Sequence, residues 1–264
     1  MKYVTNVENN NSNKDNNVKH KKLHFGILRA SIMSFLAFTL ICGLFYTVAV
    51  TVTAQSLFPY EANGSIIEVT LKDGSKRIVG SELVGQSYIL YDNNGNPVLK
   101  DNDNNYYLFS NDEYILDNNK DLTINENEST KLDKNTPTTT IYQGKYLIGR
   151  NNSGAPSNAS PNANSYLETI EKRKKALESI GYTSEYNPSG IPSELLTESG
   201  SGVDPEVSYD AAMYQVKMIA KERNISEDVV VNYINKYTKN RFLGIFGTKR
   251  VNVLMVNLAL DGLL

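Results

Sequence analysis

The stretch "TESGSGVDPEVSYDAAMYQ", Thr197 to Gln215, holds glycines, serines and carboxylates just ahead of a run with helical spacing. Residues of these types can cradle a phosphate, pair carboxylates for acid–base work, or simply make a tight turn. A phosphate loop needs G-x-x-x-x-G-K-[ST], and a dinucleotide site needs G-x-G-x-x-G directly after a strand. Neither pattern occurs, and Gly247-Thr248-Lys249 has the wrong order for the first. Gly200 and Gly202 can supply positive φ, Asp204-Pro205 starts a turn, and Ser208 caps the helix that follows. Physically, Ser199, Gly200, Ser201, Gly202 and Asp204 read as a loop that sets the angle at which a helix starts.

Other chemistry lacks partners. Both histidines, His20 and His24, precede Ala30, and the single cysteine is Cys42. Everything after Cys42 is therefore without the ligands of His/Cys zinc sites and without the base of a Ser-His-Asp triad. No S-x-x-K occurs, and Asp133-Lys134-Asn135-Thr136 only approaches the D-K-T-G of phosphorylated pumps. Glu194 with Glu198, or Asp204 with Glu206, could pair as hydrolytic acids, but no spacing singles them out. The expectation is no catalytic residue and no metal.

Those residues are held by a chain whose charge is divided. The first 29 residues carry six Lys/Arg and two Asp/Glu; subtracted from totals of 27 and 29, they leave 21 and 27, a net charge of −6 for residues 30–264. An acidic body argues against nucleic acid, which needs a basic face. From Ala30 to Tyr60 there is no charge. The run Ala30–Ala54 reaches roughly 37 Å as a helix, enough to cross a hydrocarbon core of about 30 Å. It is too long for the apolar part of a cleavable signal. Lys19, Lys21, Lys22 and Arg29 crowd one flank, and the first basic residue beyond is Lys72. The positive-inside rule then predicts a cytoplasmic arm over 1–29, a single transmembrane helix over 30–54, and an extracytoplasmic domain over 55–264 in the cell membrane. Gly43, Thr47 and Thr51 recur every four residues, a small-residue stripe that suits a partner helix, although Gly and Thr are common in such helices anyway.

The outer part predicts an α+β domain. Ser65–Leu71 and "KRIVGSELV" flank Asp73-Gly74 as a β-hairpin. Residues 87–140 turn rich in Asn, Asp and Tyr, with Y-x-L-x-x-N at Tyr88, Tyr106 and Tyr114. These read as short strands joined by Asn-rich turns; Asp92 and Asp101 start EF-hand-like patterns that break at Pro97 and Tyr106. About four helices follow. The first, capped by Asn164 or Ser165, turns Leu167, Ile170, Leu177 and Ile180 inward and leaves Lys172–Lys175 as a solvated face. The second starts at Ser208 and buries Ala212, Val216, Ile219 and Ala220. The third follows Ser226 and buries Val230, Tyr233, Ile234 and Tyr237. The last, in "RVNVLMVNLALDGLL", is apolar all round and must be covered.

The segments "FPYEANGS", "GSELVGQSY", "LLTESGSGVDPEVS", "AAMYQV" and "RVNVLMVNLALD", in this order, resemble the KdpC family. That family is the small C subunit of the bacterial potassium-transporting P-type ATPase, and the likeness covers roughly residues 25–87 and 141–264. The resemblance implies a non-catalytic subunit. Its partners would be a channel-like potassium-binding subunit and an ATP-hydrolysing subunit, to which potassium and ATP themselves belong. It also implies a catalytic chaperone that raises the pump subunit's affinity for ATP, with Gln215 as the glutamine connected to that role and Ser199–Asp204 as the glycine stretch. The chain departs from the family where G-R-P-S-A becomes Gly149-Arg150-Asn151-Asn152-Ser153, and residues 87–140 have the look of an insertion. A nucleotide is cytoplasmic whereas the charge bias puts Gln215 outside, so the implied effect on ATP would be indirect. The competing reading is a free-standing, membrane-anchored extracellular binding module that works through the Tyr-rich segment.

Overall fold

A computed structural model describes residues 25–264 except 95, 102, 104, 111–112, 118–119, 121–129, 134–135, 137 and 153. The chain divides into two compact units, one ending at Ala62 and the other running Asn63–Leu264. Residues 1–24 of the predicted 1–29 arm, with both histidines, lie outside the described residues, whereas Phe25–Arg29 belong to the first helix.

The first unit is a helix in three pieces: α1 (Phe25–Phe38), a π-helical stretch (Thr39–Phe45) and α2 (Tyr46–Leu57), followed by a short turn of helix, α3 (Pro59–Ala62). It extends past both ends of the expected span, and Gly26–Leu57 is long and apolar enough to cross a membrane. Ser31, Thr39 and Thr53 donate their hydroxyls to the carbonyls four residues back, so their polar groups need no water. Gly43 falls within the π-helical turn and Thr47 and Thr51 within α2. The wider π turn changes the phase between Gly43 and the two threonines, which an unbroken α-helix would have stacked.

The second unit mixes strands and helices. The hairpin forms as expected from β1 (Ile66–Thr70) and β2 (Lys76–Ser81), with a bulge at Ile67/Glu68. Four strands, β3 (Leu99–Asp101), β4 (Tyr106–Ser110), β5 (Glu113–Asp117) and β6 (Thr138–Thr140), make an antiparallel sheet in the order β5-β4-β3-β6. Two turns, one just before this sheet and one between β3 and β4, are built alike. Asp92 Oδ1 accepts the amides of Asn94 and Asn96 at 2.9 and 2.8 Å, and Asp101 Oδ1 those of Asp103 and Asn105, both at 2.9 Å. Each carboxylate thus closes its own loop, the role aspartate takes in an Asx turn. The edges of this segment belong elsewhere: Ile89 bridges Tyr142, and both enter the main core.

The helices follow as α4 (Asn164–Glu178), α5 (Ser193–Leu196), α6 (Tyr209–Tyr214), α7 (Val216–Arg223), α8 (Glu227–Lys236) and α9 (Val253–Leu260). The three short strands β7 (Glu206–Ser208), β8 (Thr238–Lys239) and β9 (Arg250–Asn252) pair in the order β7-β9-β8. Ser208 caps α6 by accepting from Ala211 N, and Ala212, Val216, Ile219 and Ala220 are buried as their spacing predicts. Val230 and Ile234 are likewise buried, while Tyr233 and Tyr237 only flank the core.

Three expectations need correction. Leu167 is exposed, and α4 starts after Ala163 with no side-chain cap. Arg173, expected on a solvated face, is buried with Ala176 and Leu177. Finally, Arg250–Asn252 is a strand and only Val253–Leu260 is helix, because Asn252 caps the helix by accepting from Met255 N at 3.0 Å. The all-round apolarity of α9 has a clear cause. Leu254 and Leu258, four apart, pack on Ile67 and Val69 of the hairpin, whereas Val253 and Val256 enter the main core. The helix is the filling between two layers.

Truncation of Leu254 would empty that junction. Leu254→Ala should cost about 2–5 kcal/mol of stability, read as a lowered denaturation midpoint of the full chain in detergent.

Candidate functional site

The Gly/Ser loop connects α5 to β7 and packs backbone against backbone. Gly202 has φ +72°, and a Cβ there would lie 2.2 Å from Ala155 O. Its carbonyl accepts from Gly154 N at 2.9 Å, while Val203 O accepts from Gly85 N at 2.8 Å. Gly85 is equally tight: a Cβ would meet Asp204 O at 2.2 Å. Ser199 is buried, Gly200 stands in open space, and Ser201 Oγ accepts from Val203 N at 3.3 Å. The loop clamps two neighbouring segments where no side chain fits, so Gly202 in the loop and Gly85 facing it are required sterically, whereas Gly200 is not.

The four acids with conceivable acid–base roles are each engaged. Glu194 accepts from both the amide and the hydroxyl of Ser208, and Arg150 Nε lies 4.0 Å from its Oε2. Glu198 accepts from Asn151 Nδ2 at 2.9 Å. Asp204 accepts from Glu206 N at 3.1 Å and faces Arg150 Nε at 3.7 Å. Glu206 sits 2.6 Å from Arg250 Nε. Among the described residues, no group of three or more His, Cys, Asp or Glu is placed to hold a metal ion.

Gln215 lies between α6 and α7 and is 0% exposed. Its Oε1 accepts from Ile148 N at 2.8 Å, and its Nε2 donates to Ile148 O at 2.9 Å and to Ala211 O at 3.2 Å. Asn257, in the middle of α9, treats the preceding residue the same way: Leu147 N donates to its Oδ1 at 2.7 Å, and its Nδ2 donates to Leu147 O at 2.9 Å. Leu147 and Ile148 are themselves buried. Neither residue belongs to a strand; two side-chain amides, one at the α6–α7 junction and one from α9, bond their backbone instead. A buried peptide group must find such partners or lose the desolvation energy. Direct contact between Gln215 and any ligand would require these bonds to break.

Arg173 ties the next stretch. It donates to Leu195 O and to the Tyr142 hydroxyl, to Asn151 Oδ1 at 3.0 Å, and to Gly149 O at 2.8 Å. Burial pushes its guanidinium pKa down, opposed by Tyr142 and then Glu198. Burial likewise raises the Tyr142 phenol. A charge run had hidden Arg173, yet its spacing from Ile170 and Leu177 places it on the inward face. Asn257 carried a signal too, as the one polar residue within "VLMVNLAL".

The geometry therefore defines a class: an α+β protein with one helix of membrane-crossing length, in which Gln215, Asn257 and Arg173 spend their buried polar groups on the chain itself, with no assembled catalytic set among the described residues. The profile of the family described as "KdpC: K+-transporting ATPase, c chain" matches residues 28–262. A potassium-transporting ATPase KdpC subunit of Clostridium perfringens is 44% identical over 238 residues, 90% of this chain and 98% of that protein. One from Clostridium botulinum is 36% identical over 234 residues, covering 89% and 94%. One from Listeria monocytogenes is 34% identical over 241 residues, covering 90% and 96%. The chain belongs to the KdpC family, and so is an accessory subunit of a potassium-transporting ATPase.

Gln215→Leu, which keeps the bulk and removes the amide, should destabilise the chain by about 1–3 kcal/mol for each orphaned group of Ile148. Because Gln215 and Asn257 hold adjacent residues, the double variant with Asn257→Leu should depart from additivity in denaturant titrations. Alkali offers a separate check. Burial pushes the phenols of Tyr88 and Tyr214 up to about 12 from 10.0. The unfolded chain releases those protons first, so the stability they confer is present below pH 10 and falls as pH rises toward 12. Tyr88→Phe and Tyr214→Phe should each flatten that fall in an alkaline unfolding titration.

Proposed function

We propose that this chain stabilises the assembled potassium pump and raises the pump subunit's affinity for ATP without touching the nucleotide. The single observation that supports an indirect role is the state of Gln215: fully buried, with its amide spent on Ile148 and Ala211. As a staple, Gln215 acts through the shape of the domain. The domain stands outside the cell, following the lysine bias of the arm, and docks on the outer face of the channel-like subunit. A bias of about 1–3 kcal/mol between conformations would change a distant affinity 5- to 150-fold.

The same reading assigns the remaining parts. Thr47 and Thr51 offer a small-residue face to a partner transmembrane helix, with Gly43 in the π turn beside it. Ser199–Asp204 holds the domain's own loops in register. Beyond Ile89, which enters the main core, the inserted residues of the 87–140 segment are read as a peripheral addition rather than a binding module, and Asp92 and Asp101 use their carboxylates to close their own turns.

Purified full chain in detergent should show no saturable binding of a photoreactive ATP analogue, and a complex lacking the chain should need more ATP for half-maximal hydrolysis. Saturable labelling lost in a folded Gln215→Ala variant would instead establish direct contact. For sidedness, Lys217→Cys should react with a membrane-impermeant maleimide on intact cells; reaction only after lysis would reverse the orientation.

A further inference from the structure

Between β8 and β9 the chain makes a short hairpin, "NRFLGIFGTK", whose tip turns its large side chains outward. Phe242 is 71%, Leu243 74%, Ile245 72% and Phe246 62% exposed. Apart from them, the large apolar side chains of the second unit that stand free are scattered singly or in pairs. Four in five consecutive positions is a patch, and such patches mark a surface that another molecule covers.

The tip is built rather than frayed. Phe242 N donates to Phe246 O at 2.8 Å, Phe246 N to Phe242 O at 3.0 Å, and Gly244 N to Arg241 O at 3.0 Å. Leu243 holds φ +53°, a left-handed value that a leucine adopts only under constraint, with Gly244 and Gly247 at +76° and +82°. A preformed loop loses little conformational freedom on docking, so more of the contact energy appears as affinity.

Charge narrows the occupant. From Val229 to Leu260 there is no acidic residue, and five basic ones, Lys236, Lys239, Arg241, Lys249 and Arg250, lie in that stretch. Those at the hairpin's base are turned to the domain itself. Lys239 Nζ is 2.7 Å from Glu82, Arg250 Nε is 2.6 Å from Glu206, and Lys249 Nζ lies 5.5 Å over the Tyr209 ring. A loop that dips into a bilayer keeps its cations free for headgroups; here Lys236 also lies over a ring, that of Tyr237, and of the five only Arg241, exposed beside the tip, has neither an ion pair nor a ring contact among the described residues. Two phenylalanines and two aliphatic side chains with one flanking arginine have the make-up of a protein-interface centre.

We infer that the Phe242–Phe246 tip is the domain's docking knob, seated in an apolar groove with an acidic rim on the channel-like potassium-binding subunit. This rests on the outer-face reading above. The chain's membership of a multisubunit ATPase supplies the need for such a contact, and the rigid tip supplies its form.

The test uses the full complex, with p-benzoylphenylalanine in place of Leu243 and, as a control for reactivity elsewhere, in place of exposed Lys217. Irradiation should attach position 243 to the potassium-binding subunit. Adducts with lipid, with a second copy of this chain or with the ATP-hydrolysing subunit alone would overturn the assignment, as would no adduct. In parallel, the double variant Leu243→Asp, Ile245→Asp should lower the yield of co-purified complex at least tenfold while the chain's unfolding midpoint stays put; an unchanged yield would also overturn it. If the unaltered chain fails to co-purify with the potassium-binding subunit, the outer-face reading itself falls. If it co-purifies but the adduct is elsewhere, only the knob does.

Discussion

Leu147 and Ile148 are two buried residues outside any helix or strand, and the domain is arranged to satisfy their backbone. Asn257 from α9 takes both polar groups of the first, and Gln215, at the break between α6 and α7, takes both of the second. Each amide side chain offers a donor and an acceptor at the spacing of a peptide group, so one residue replaces one step of a β-ladder. Left unmet in a core of Leu, Val and Ile, those groups would cost several times what a satisfied bond contributes. The helices can therefore close on the central segment in only one register.

The elements next to that segment repeat the device with different chemistry. Arg173 gathers Gly149, Leu195, Asn151 and Tyr142, so the chain downstream of Ile148 is tied to α4 as firmly as Ile148 is to Gln215. The Ser/Gly loop then locks Ala155 and Gly85 through contacts that exclude a Cβ. On the other side, α9 holds the β1–β2 hairpin through Leu254 and Leu258 while Asn257 faces inward. Polar chemistry here serves shape.

Much of this was legible in the sequence. The membrane-length helix followed from an uncharged run, the hairpin from Asp73-Gly74 between branched residues, and the caps at Ser208 and Asn-rich turns from local hydrogen-bonding chemistry, all of which act over a few residues. The buried positions of α6, α7 and α8 followed from their period. The failures share a cause. Arg173 was read by its charge because its acceptors lie in distant parts of the chain, and the β7-β9-β8 strands are too short for alternation to register. Gln215 stood out only by likeness to a family, since nothing local distinguishes a buried glutamine from a surface one.

Period, charge and turn residues thus determined by themselves an α+β chain led by one helix of membrane-crossing length, with neither His nor Cys after Cys42, because those signals are written in neighbouring residues. Only the tertiary structure decided that the glycine loop is a steric clamp, that Gln215 and Asn257 are backbone surrogates, and that Phe242–Phe246 is left uncovered. Each depends on which distant atoms arrive within bonding distance, or fail to, and that is a property of the folded chain alone.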